Sequence, residues 1–322
     1  MAQTRYCITG GSGFIGTRLI ESLHESGAQI RNIDKNQSSR FPEMTVIQDI
    51  RDREGLVGNM IPADIVVHLA AEHKDNVTPT SLYYDVNVAG TKNLLMGMEG
   101  SGIHKIIFTS TVAIYGLDKD YPDENRPPDP FNHYGKSKLE AEALIREWQS
   151  GDPGRSAVIL RPSVVFGEGN RGNVYNLLKQ ISSGRFMMIG KGENTKSMAY
   201  VGNVSAFIRF LAETMRPGLH VYNYTDLPDI TTREIVSVVR AELGKSRSVI
   251  RLPYSIGMAA GKLFDIFSAV TGKEMNISAI RIKKFCSSTR FDSTKAHSLG
   301  FDPPYRLVEA LRKTIQAEFR KE

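Results

Sequence analysis

The sequence has 322 residues, of which 41% are hydrophobic and 24% charged, which suits one large globular domain or a domain with an appended lobe. Its net charge is +6. The segment from Lys245 to Arg290 contains nine basic and two acidic residues, so it accounts for the whole excess of positive charge. No apolar run approaches the roughly 20 residues of a membrane span, and the distant Cys7 and Cys286 argue against a disulfide framework.

Strand-like runs alternate with helical runs through the first half of the chain. The predicted strands are Arg5–Ile8, Gln29–Ile33, Thr45–Ile47, Ile65–Leu69, Lys105–Thr109 and Ala157–Leu160, and the predicted helices are Phe14–Glu25, Leu82–Met98 and Tyr134–Gln149. This alternation predicts an α/β fold with a parallel, doubly wound sheet covered on both faces. Because the first strand begins almost at the N-terminus, no signal peptide is predicted and we expect a cytoplasmic protein.

A glycine-rich turn follows the first predicted strand and opens the first helix. Gly10, Gly13 and Gly16 follow a GxxGxxG spacing, which lets a backbone approach a pyrophosphate at a helix N-terminus. Asp34 ends the second strand 18 residues later, where a carboxylate can accept hydrogen bonds from a ribose diol. Its charge would repel a 2′-phosphate, so the pattern favours NAD over NADP. Asp49 and the following Ile50 could flank the adenine, although Asp49 could instead cap a helix.

A nucleotide-binding domain is therefore expected over residues 1–166. Residues 198–224 are expected to return to it. Beyond Gly167 the alternation becomes irregular, which predicts a smaller, mainly substrate-binding lobe over residues 167–322.

Tyr134 and Lys138 lie four residues apart at the start of a predicted helix, so their side chains share one face. A lysine charge beside a phenol lowers its pKa, ordinarily about 10, and makes it a general acid/base. Two other pairs have this spacing, Tyr115 with Lys119 and Tyr175 with Lys179. Only Tyr134 follows a buried strand and a proline-rich loop in a chain that opens with a nucleotide-binding turn, so the context favours it.

Six motifs together resemble the extended short-chain dehydrogenase/reductases of the sugar epimerase/dehydratase type. They are the glycine turn at 9–16, His68-Leu-Ala-Ala71, Asp85-Val-Asn87, Thr109-Ser-Thr-Val-Ala-Ile-Tyr-Gly116, Tyr134-Gly-Lys-Ser-Lys138 and Arg161-Pro162. The resemblance covers nearly the whole chain and implies a Rossmann domain, bound NAD and a homodimer.

The resemblance also implies residue roles. Tyr134 would be the acid/base, Lys138 would lower its pKa and hold the nicotinamide ribose, and Thr111, ahead of Ser110, would hold the reacting oxygen. The implied cofactor contacts are Gly10, Gly13, Phe14, Ile15, Gly16, Asp34, Asp49, Ile50, Leu69, Ala70, Ala71, Asn87, Tyr134 and Lys138. The family's 4,6-dehydratases carry an Asp-Glu pair directly after the hydroxyl residue. In this sequence Val112 and Ala113 occupy those positions, and neither side chain can move a proton. Dehydration is therefore not predicted, and neither is a metal site.

Three stretches, 81–87, 170–181 and 196–202, resemble a bacterial subgroup of surface-polysaccharide (O-antigen) synthesis. The resemblance implies an NAD-dependent 4-epimerase that interconverts diphosphate-linked N-acetylglucosamine and N-acetylgalactosamine, with undecaprenyl diphosphate favoured as carrier ahead of UDP. It implies substrate contacts from Thr111, Asn173 and Lys196, the last in place of a diphosphate-binding arginine. Two alternatives stay open: a 4-reductase for UDP-4-keto-6-deoxy-N-acetylhexosamine, and an NAD-binding protein without catalytic activity.

An amphipathic stripe lies within the basic C-terminal region. Its members are Ile256, Ala260, Leu263, Phe267 and Val270, with Phe264 beside them. Such a helix among lysines and arginines can contact a membrane surface, so residues 252–290 are a candidate for peripheral contact with the inner membrane. The alternative is that the stripe packs against the lobe's own core. No aromatic stacking motif or helix-turn-helix pattern accompanies the basic residues, so nucleic-acid binding is not predicted.

Overall fold

The computed structural model describes residues 3–74, 76–117, 119–184, 186–245, 249–271 and 278–320. The chain divides into two compact units. The first unit comprises Met1–Val165, Ala199–Thr225 and Phe291–Tyr305, and the second comprises Phe166–Met198, Asp226–Arg290 and Arg306–Glu322.

The described elements are numbered in chain order. The strands are β1 Arg5–Thr9, β2 Gln29–Asp34, β3 Thr45–Ile47, β4 Ile65–His68, β5 Lys105–Thr109, β6 Ser156–Pro162, β7 Val164–Phe166, β8 Met187–Ile189, β9 Thr195–Lys196, β10 Met198–Tyr200, β11 Gly218–Tyr224, β12 Ile230–Thr231 and β13 Ile250–Leu252. The helices are α1 Phe14–Glu25, α2 Arg53–Asn59, α3 Ser81–Tyr84, α4 Gly90–Gly100, α5 His133–Ser150, α6 Asn173–Ser182, α7 Val201–Glu213, α8 Thr232–Glu242, α9 Tyr254–Thr271, α10 Ala279–Cys286, α11 Thr294–His297 and α12 Leu307–Phe319.

The first unit is built on a parallel sheet of seven strands in the order β11-β6-β5-β4-β1-β2-β3. In register, Tyr6 of β1 lies opposite Ile30 of β2 on one side and Ile65 of β4 on the other. The strand order reverses between β1 and β4, which is where open α/β sheets place a ligand at their carboxyl ends. The predicted doubly wound parallel sheet is confirmed.

Both faces of this sheet are covered, because alternate residues of each strand point to opposite sides. Tyr6 and Ile8 of β1 pack with Leu19 of α1 and Phe207 of α7 in one core cluster. Cys7, between them in sequence, belongs to the second cluster on the opposite face, with residues of α2, α4 and α5. Continuous apolar strands such as Ile65–His68 are therefore buried on both sides.

The predicted helix Leu82–Met98 is interrupted. A π-helical segment, Asp85–Ala89, separates α3 from α4 and has an i to i+5 hydrogen-bond pattern. Such a segment carries one extra residue per turn, which changes the direction of its side chains. Within it Asn87 is 1% exposed and is directed into the protein.

The second unit contains two small sheets. Strand β8 pairs in parallel with β13, and β9 pairs antiparallel with β12. Helix α8 begins at a capping box in which Thr231 and Glu234 satisfy each other's backbone N–H groups. Among the described residues, no helix is both long enough and apolar enough to cross a membrane.

Candidate active site

The glycine turn after β1 leaves no room for side chains. Gly10 has φ +77°, a backbone conformation that favours glycine, and a Cβ there would lie 2.5 Å from the backbone nitrogen of Ala70. At Gly16 a Cβ would lie 2.6 Å from the Gly10 carbonyl oxygen. At Gly10 the turn packs on the backbone that follows β4, and at Gly16 the helix packs on the turn's own backbone, so neither position has room for a side chain.

The N-terminus of α1 is suited to an anion. Gly13 is its N-cap, and in the part of the chain that the structure describes no side chain caps it. The first-turn N–H groups, those of Phe14, Ile15 and Gly16, thus face the turn with the positive end of the helix dipole behind them. This arrangement fits a pyrophosphate.

Replacing Gly16 with alanine is expected to destabilise the protein by about 1–3 kcal/mol and to weaken NAD binding, because the new methyl group must displace backbone atoms of the turn. Thermal unfolding with and without added NAD measures both effects. Gly58→Ala is the matched control, since nothing lies within 4 Å of a Cβ at that exposed helical position. Equal stability and equal stabilisation by NAD in the two variants would contradict the prediction.

Asp34 is held at the end of β2 by backbone donors. Its two carboxylate oxygens accept the N–H groups of Ser12 at 3.0 Å and Asn36 at 2.9 Å. Each oxygen keeps a further lone pair for a ribose hydroxyl. The carboxylate is therefore oriented by the same turn that would hold the pyrophosphate.

The two residues predicted to flank the adenine differ in their surroundings. Asp49 forms an ion pair with Arg51 at 2.6 Å, and the hydrogen bonds from Arg51 hold the pKa of Asp49 below its usual value. Asp52, and not Asp49, caps α2. Ile50 is 5% exposed and packs against Gly90 of α4, so the side chain of Ile50 belongs to the core.

Asn87 joins the loop after β4 to the helix that carries Tyr134. Its Oδ1 accepts the N–H of Glu72 at 2.8 Å. Its Nδ2 donates to the Glu72 carbonyl oxygen at 3.0 Å and to the Ser137 hydroxyl at 2.9 Å. This loop begins with Leu69, Ala70 and Ala71. Asn87 therefore fixes the backbone of the predicted cofactor contacts relative to α5.

Thr111 and Tyr134 are hydrogen-bonded to each other through their side chains. Thr111 caps a short 3₁₀ helix, Val112–Tyr115, and its oxygen accepts the Ala113 N–H at 3.1 Å, which leaves its proton for the phenol. Ser110, the alternative hydroxyl, instead donates to Glu142 at 2.6 Å. Tyr134 is half-buried near the N-terminus of α5, which Asn132 caps. The structure thus brings Thr111, rather than Ser110, to the phenol.

Lys138 lies one turn after Tyr134 on α5 and is 2% exposed. Its ammonium lies 4.0 Å from the centre of the Phe108 ring. Burial lowers the pKa of Lys138 to about 7, against the nearby charge of Glu142, which raises it. Loss of water around the phenol raises the pKa of Tyr134 to about 12, against the Thr111 hydrogen bond. The chain's own side chains therefore do not produce the lowered phenol pKa that the spacing predicted.

Lys138 should make protein stability depend on pH. Its folded pKa of about 7 is below its unfolded value of about 10.5, so the unfolded state binds more protons between these values and stability rises with pH there. After removal of NAD, the free energy of unfolding of the wild type should gain up to about 1.4 kcal/mol per pH unit relative to Lys138→Met. Urea unfolding of both proteins between pH 7 and 9.5 measures this; a constant difference would contradict it.

A buried ion pair links helix α5 to strand β6. Glu142, one turn after Lys138, accepts two hydrogen bonds from Arg161 of β6, at 2.9 Å from Nε and 2.6 Å from Nη2. The two side chains are 1% and 2% exposed. Arg161 also donates to the Tyr115 hydroxyl at 2.8 Å, which donates to Asn223 of β11 at 2.8 Å. Glu142 follows Lys138 by four residues, just as Lys138 follows Tyr134. This repeated spacing is the signal in the sequence that could have identified Glu142.

His68 at the end of β4 is uncharged. It lies between the hydroxyl groups of Thr9, 2.6 Å from Nδ1, and Thr91, 3.0 Å from Nε2. Because Thr91 donates its own proton to the Asn87 carbonyl oxygen, Nε2 is the nitrogen that donates. Burial and, to a smaller extent, the charge of Lys138 together lower the pKa of His68 to about 3. His68 therefore adds no second positive charge beside Lys138.

The two rival tyrosine–lysine pairs occupy other environments. Lys119 forms an ion pair with Asp129 at 2.8 Å, while Tyr115 is fully buried in the network around Arg161. In the second unit, Tyr175 stacks on Phe319 and the ammonium of Lys179 lies 6.0 Å from its ring centre. The Tyr115 and Tyr175 side chains therefore have other partners than the Thr111 hydroxyl that contacts Tyr134.

The two predicted substrate residues Asn173 and Lys196 lie in the second unit. Asn173 is exposed at the first position of α6. The ammonium of Lys196 donates to the carbonyl oxygens of Ser287 at 2.6 Å and Lys284 at 3.4 Å, at the C-terminus of α10. In this structure Lys196 thus stabilises a helix end. Throughout the described ranges, no group of three His, Cys, Asp or Glu side chains could hold a metal ion.

Comparison with known proteins identifies the family. Residues 6–224 match the model of the NAD dependent epimerase/dehydratase family, which is more than half of the chain. The chain belongs to this family. The resemblance inferred from the six motifs is confirmed, and so is NAD as the cofactor. The matched region ends with β11, the last strand of the large sheet.

Individual epimerases of the family are similar over almost the whole length. An N-acetyl-alpha-D-glucosaminyl-diphospho-ditrans,octacis-undecaprenol 4-epimerase of Escherichia coli O157:H7 is 54% identical, over 97% of this chain and 94% of that protein. The UDP-glucose 4-epimerase of Thermus thermophilus, solved with NAD, has a TM-score of 0.74 at 24% identity, with 98% of each chain covered. A UDP-N-acetylglucosamine 4-epimerase from Bacillus cereus has a TM-score of 0.76 at 20% identity, with 99% and 98% covered. At these identities the two solved structures show the fold.

The residues present fit NAD as this family uses it. The uncapped α1 N-terminus suits its pyrophosphate, and the Asp34 carboxylate suits a ribose diol and would repel a 2′-phosphate. Bound NAD supplies oxidation and reduction by accepting and returning a hydride. The positive charge of oxidised NAD, with Lys138 close by, would favour the phenolate of Tyr134.

Proposed function

We propose that the protein is an NAD-dependent 4-epimerase that interconverts N-acetylglucosamine and N-acetylgalactosamine linked through diphosphate to undecaprenol. The 54% identity to the Escherichia coli O157:H7 4-epimerase, over nearly the full length of both chains, carries this proposal. UDP-linked sugars are the second choice of substrate. The setting that we propose is synthesis of a surface polysaccharide such as an O-antigen.

The reaction needs one proton to leave and return at the hydroxyl of carbon 4. Tyr134, as phenolate, takes that proton while the carbon is oxidised, and it gives the proton back when the carbon is reduced on its other face. Thr111, hydrogen-bonded to Tyr134, holds the sugar oxygen, and Lys138 supplies positive charge beside the phenolate. Val112 and Ala113 offer no group for eliminating water, so the sugar keeps its hydroxyl.

One experiment can identify the substrate without assuming whether the sugar is linked to UDP or to undecaprenyl diphosphate. The purified protein is incubated with UDP-linked and with undecaprenyl-diphosphate-linked N-acetylglucosamine in detergent, with no added cofactor. The sugars are then released by mild acid and analysed. We expect N-acetylgalactosamine from the lipid-linked substrate. Conversion of the UDP-linked sugar alone would overturn the choice of carrier.

The same incubation separates the alternative activities. A 4-reductase would act on a 4-keto sugar and consume external reduced cofactor in proportion to product. A non-catalytic NAD-binding protein would convert neither substrate. Conversion that needs no added cofactor and consumes none is the outcome that only the epimerase gives.

Two partners complete the proposal. The family resemblance supports a homodimer, which sedimentation velocity of the purified protein tests directly. The basic segment 252–290 supports peripheral contact with the cytoplasmic face of the inner membrane, although residues 272–277, which include Lys273 and Glu274, lie outside the described part of the chain. Asn173 and Lys196 remain the proposed substrate contacts of the second unit.

A further inference from the structure

Helix α9 presents a stripe of large apolar side chains to solvent. Ile256, Leu263, Ile266 and Phe267 are 54%, 67%, 62% and 52% exposed. They follow one another at spacings of seven, three and one residues, which places them on one arc of about 100° around a helix. Ala259, also exposed, lies within the same arc. Contiguous exposed apolar surface of this kind marks an interaction site.

The opposite face of α9 is already packed within the second unit. A Cβ at Gly257 would lie 2.7 Å from the Ile189 side chain, and one at Gly261 would lie 2.8 Å from the Ala279 backbone. These two glycines let α9 approach β8 and α10 closely. The exposed arc therefore cannot be the face that α9 packs on the core, so the sequence-based alternative of a core-packed stripe fails for Ile256, Leu263 and Phe267. Val270 lies outside the side chains that the structure describes.

The surroundings of this arc are basic. Ile280 of α10 is 55% exposed, and Arg281, Lys283 and Lys284 on the same short helix are exposed as well. Arg251 and Lys262 add two more exposed cations. Asp265 is the one acidic residue among the described residues of 249–290, and its carboxylate accepts the Ala279 N–H at 3.0 Å. By composition, the segment from Lys245 to Arg290 carries nine basic and two acidic residues and is therefore strongly positive.

We infer that the exposed arc of α9, flanked by the cations of α9 and α10, docks onto an anionic lipid surface. Apolar side chains enter the acyl boundary while lysines and arginines meet anionic headgroups, which is how amphipathic helices bind membranes from one side. A second copy of this chain would instead place like charges against each other. The inference rests on the proposed function, because docking at a membrane would bring the protein to a lipid-linked sugar diphosphate at the headgroup level. Binding to lipid can nevertheless be measured without measuring epimerisation.

Flotation with vesicles tests the docking surface in the complete, NAD-loaded protein. Vesicles of phosphatidylcholine alone are compared with vesicles that contain one third phosphatidylglycerol. We expect binding to the anionic vesicles and at least about tenfold weaker binding after Leu263→Ser/Phe267→Ser. Lys283→Gln/Lys284→Gln should weaken binding to anionic vesicles and reduce its salt dependence.

Controls separate the docking surface from folding, from self-association and from the proposed reaction. Ile61→Ser removes a similarly exposed apolar side chain (44%) of the first unit and should leave vesicle binding unchanged. Equal binding of wild type and Leu263→Ser/Phe267→Ser would overturn the inference. So would a change of sedimentation coefficient in that variant without lipid, because a second copy would then cover the arc. If the protein epimerises the sugar in detergent but does not bind vesicles, only the inferred docking surface is contradicted. If it binds vesicles but does not epimerise the sugar, only the proposed function is contradicted.

Discussion

Replacing Tyr134 with phenylalanine is expected to lower the epimerisation rate by about 100- to 10,000-fold while NAD stays bound. The variant loses the oxygen that hydrogen-bonds with Thr111 and that would exchange a proton with the sugar. The ring and the backbone of α5 are kept, so the glycine turn and Asp34 should hold the cofactor as before. Turnover of lipid-linked N-acetylglucosamine and NAD released by acid measure the two quantities.

Tyr175→Phe is the matched control for this experiment. Tyr175 also precedes a lysine by four residues, but it stacks on Phe319 in the second unit. Its phenylalanine variant should keep wild-type turnover. Near-normal turnover in Tyr134→Phe, or a large loss in Tyr175→Phe, would show that the acid/base has been assigned to the wrong tyrosine.

Replacing Arg161 with methionine is expected to lower the free energy of unfolding by about 3–5 kcal/mol. The change leaves the Glu142 carboxylate buried without the two hydrogen bonds that Arg161 donates to it. It also removes the donor to the Tyr115 hydroxyl, on the far side of the network. Urea unfolding followed by circular dichroism measures the loss.

Arg146→Met provides the control for the same carboxylate. Arg146 lies 3.6 Å from Glu142, but it is 42% exposed, so its loss should cost about 1 kcal/mol or less. The double variant Glu142→Gln/Arg161→Met should recover part of the stability, because no uncompensated charge remains buried. If Arg161→Met and Arg146→Met were equally stable, the buried pair would not be a principal support of α5.

The sheet could be predicted from the sequence because its signals are local. Short apolar strands such as Thr45–Ile47 and Lys105–Thr109 were predicted with the bounds that the structure has. The interruption of the helix around Asn87 was not predicted. An apolar period of 3.6 residues does not reveal one extra residue in a turn, and the reason for it lies in contacts with Glu72 and Ser137, distant in sequence.

The candidate site likewise contains residues that could be predicted from the sequence and residues that could not. Gly10, Gly16, Tyr134 and Lys138 follow spacings that the sequence displays. Glu142 continues the four-residue spacing of Tyr134 and Lys138, but its partner Arg161 lies on a strand 19 residues away, and no local pattern specifies that pairing. The pKa of Tyr134 also differed from expectation, because burial opposes the phenolate and spacing contains no information on burial.

The amide of Asn87 connects three segments that are far apart along the chain, namely the π-helical segment, the loop after β4 and α5. Lifting that loop breaks the two bonds between Glu72 and Asn87, and moving the start of α5 breaks the bond to Ser137. Since both segments are held by the same amide, we expect their backbone N–H groups to be protected from hydrogen exchange to a similar extent. The side chain of Asn87 therefore links the start of the helix that carries Tyr134 to the loop that follows β4.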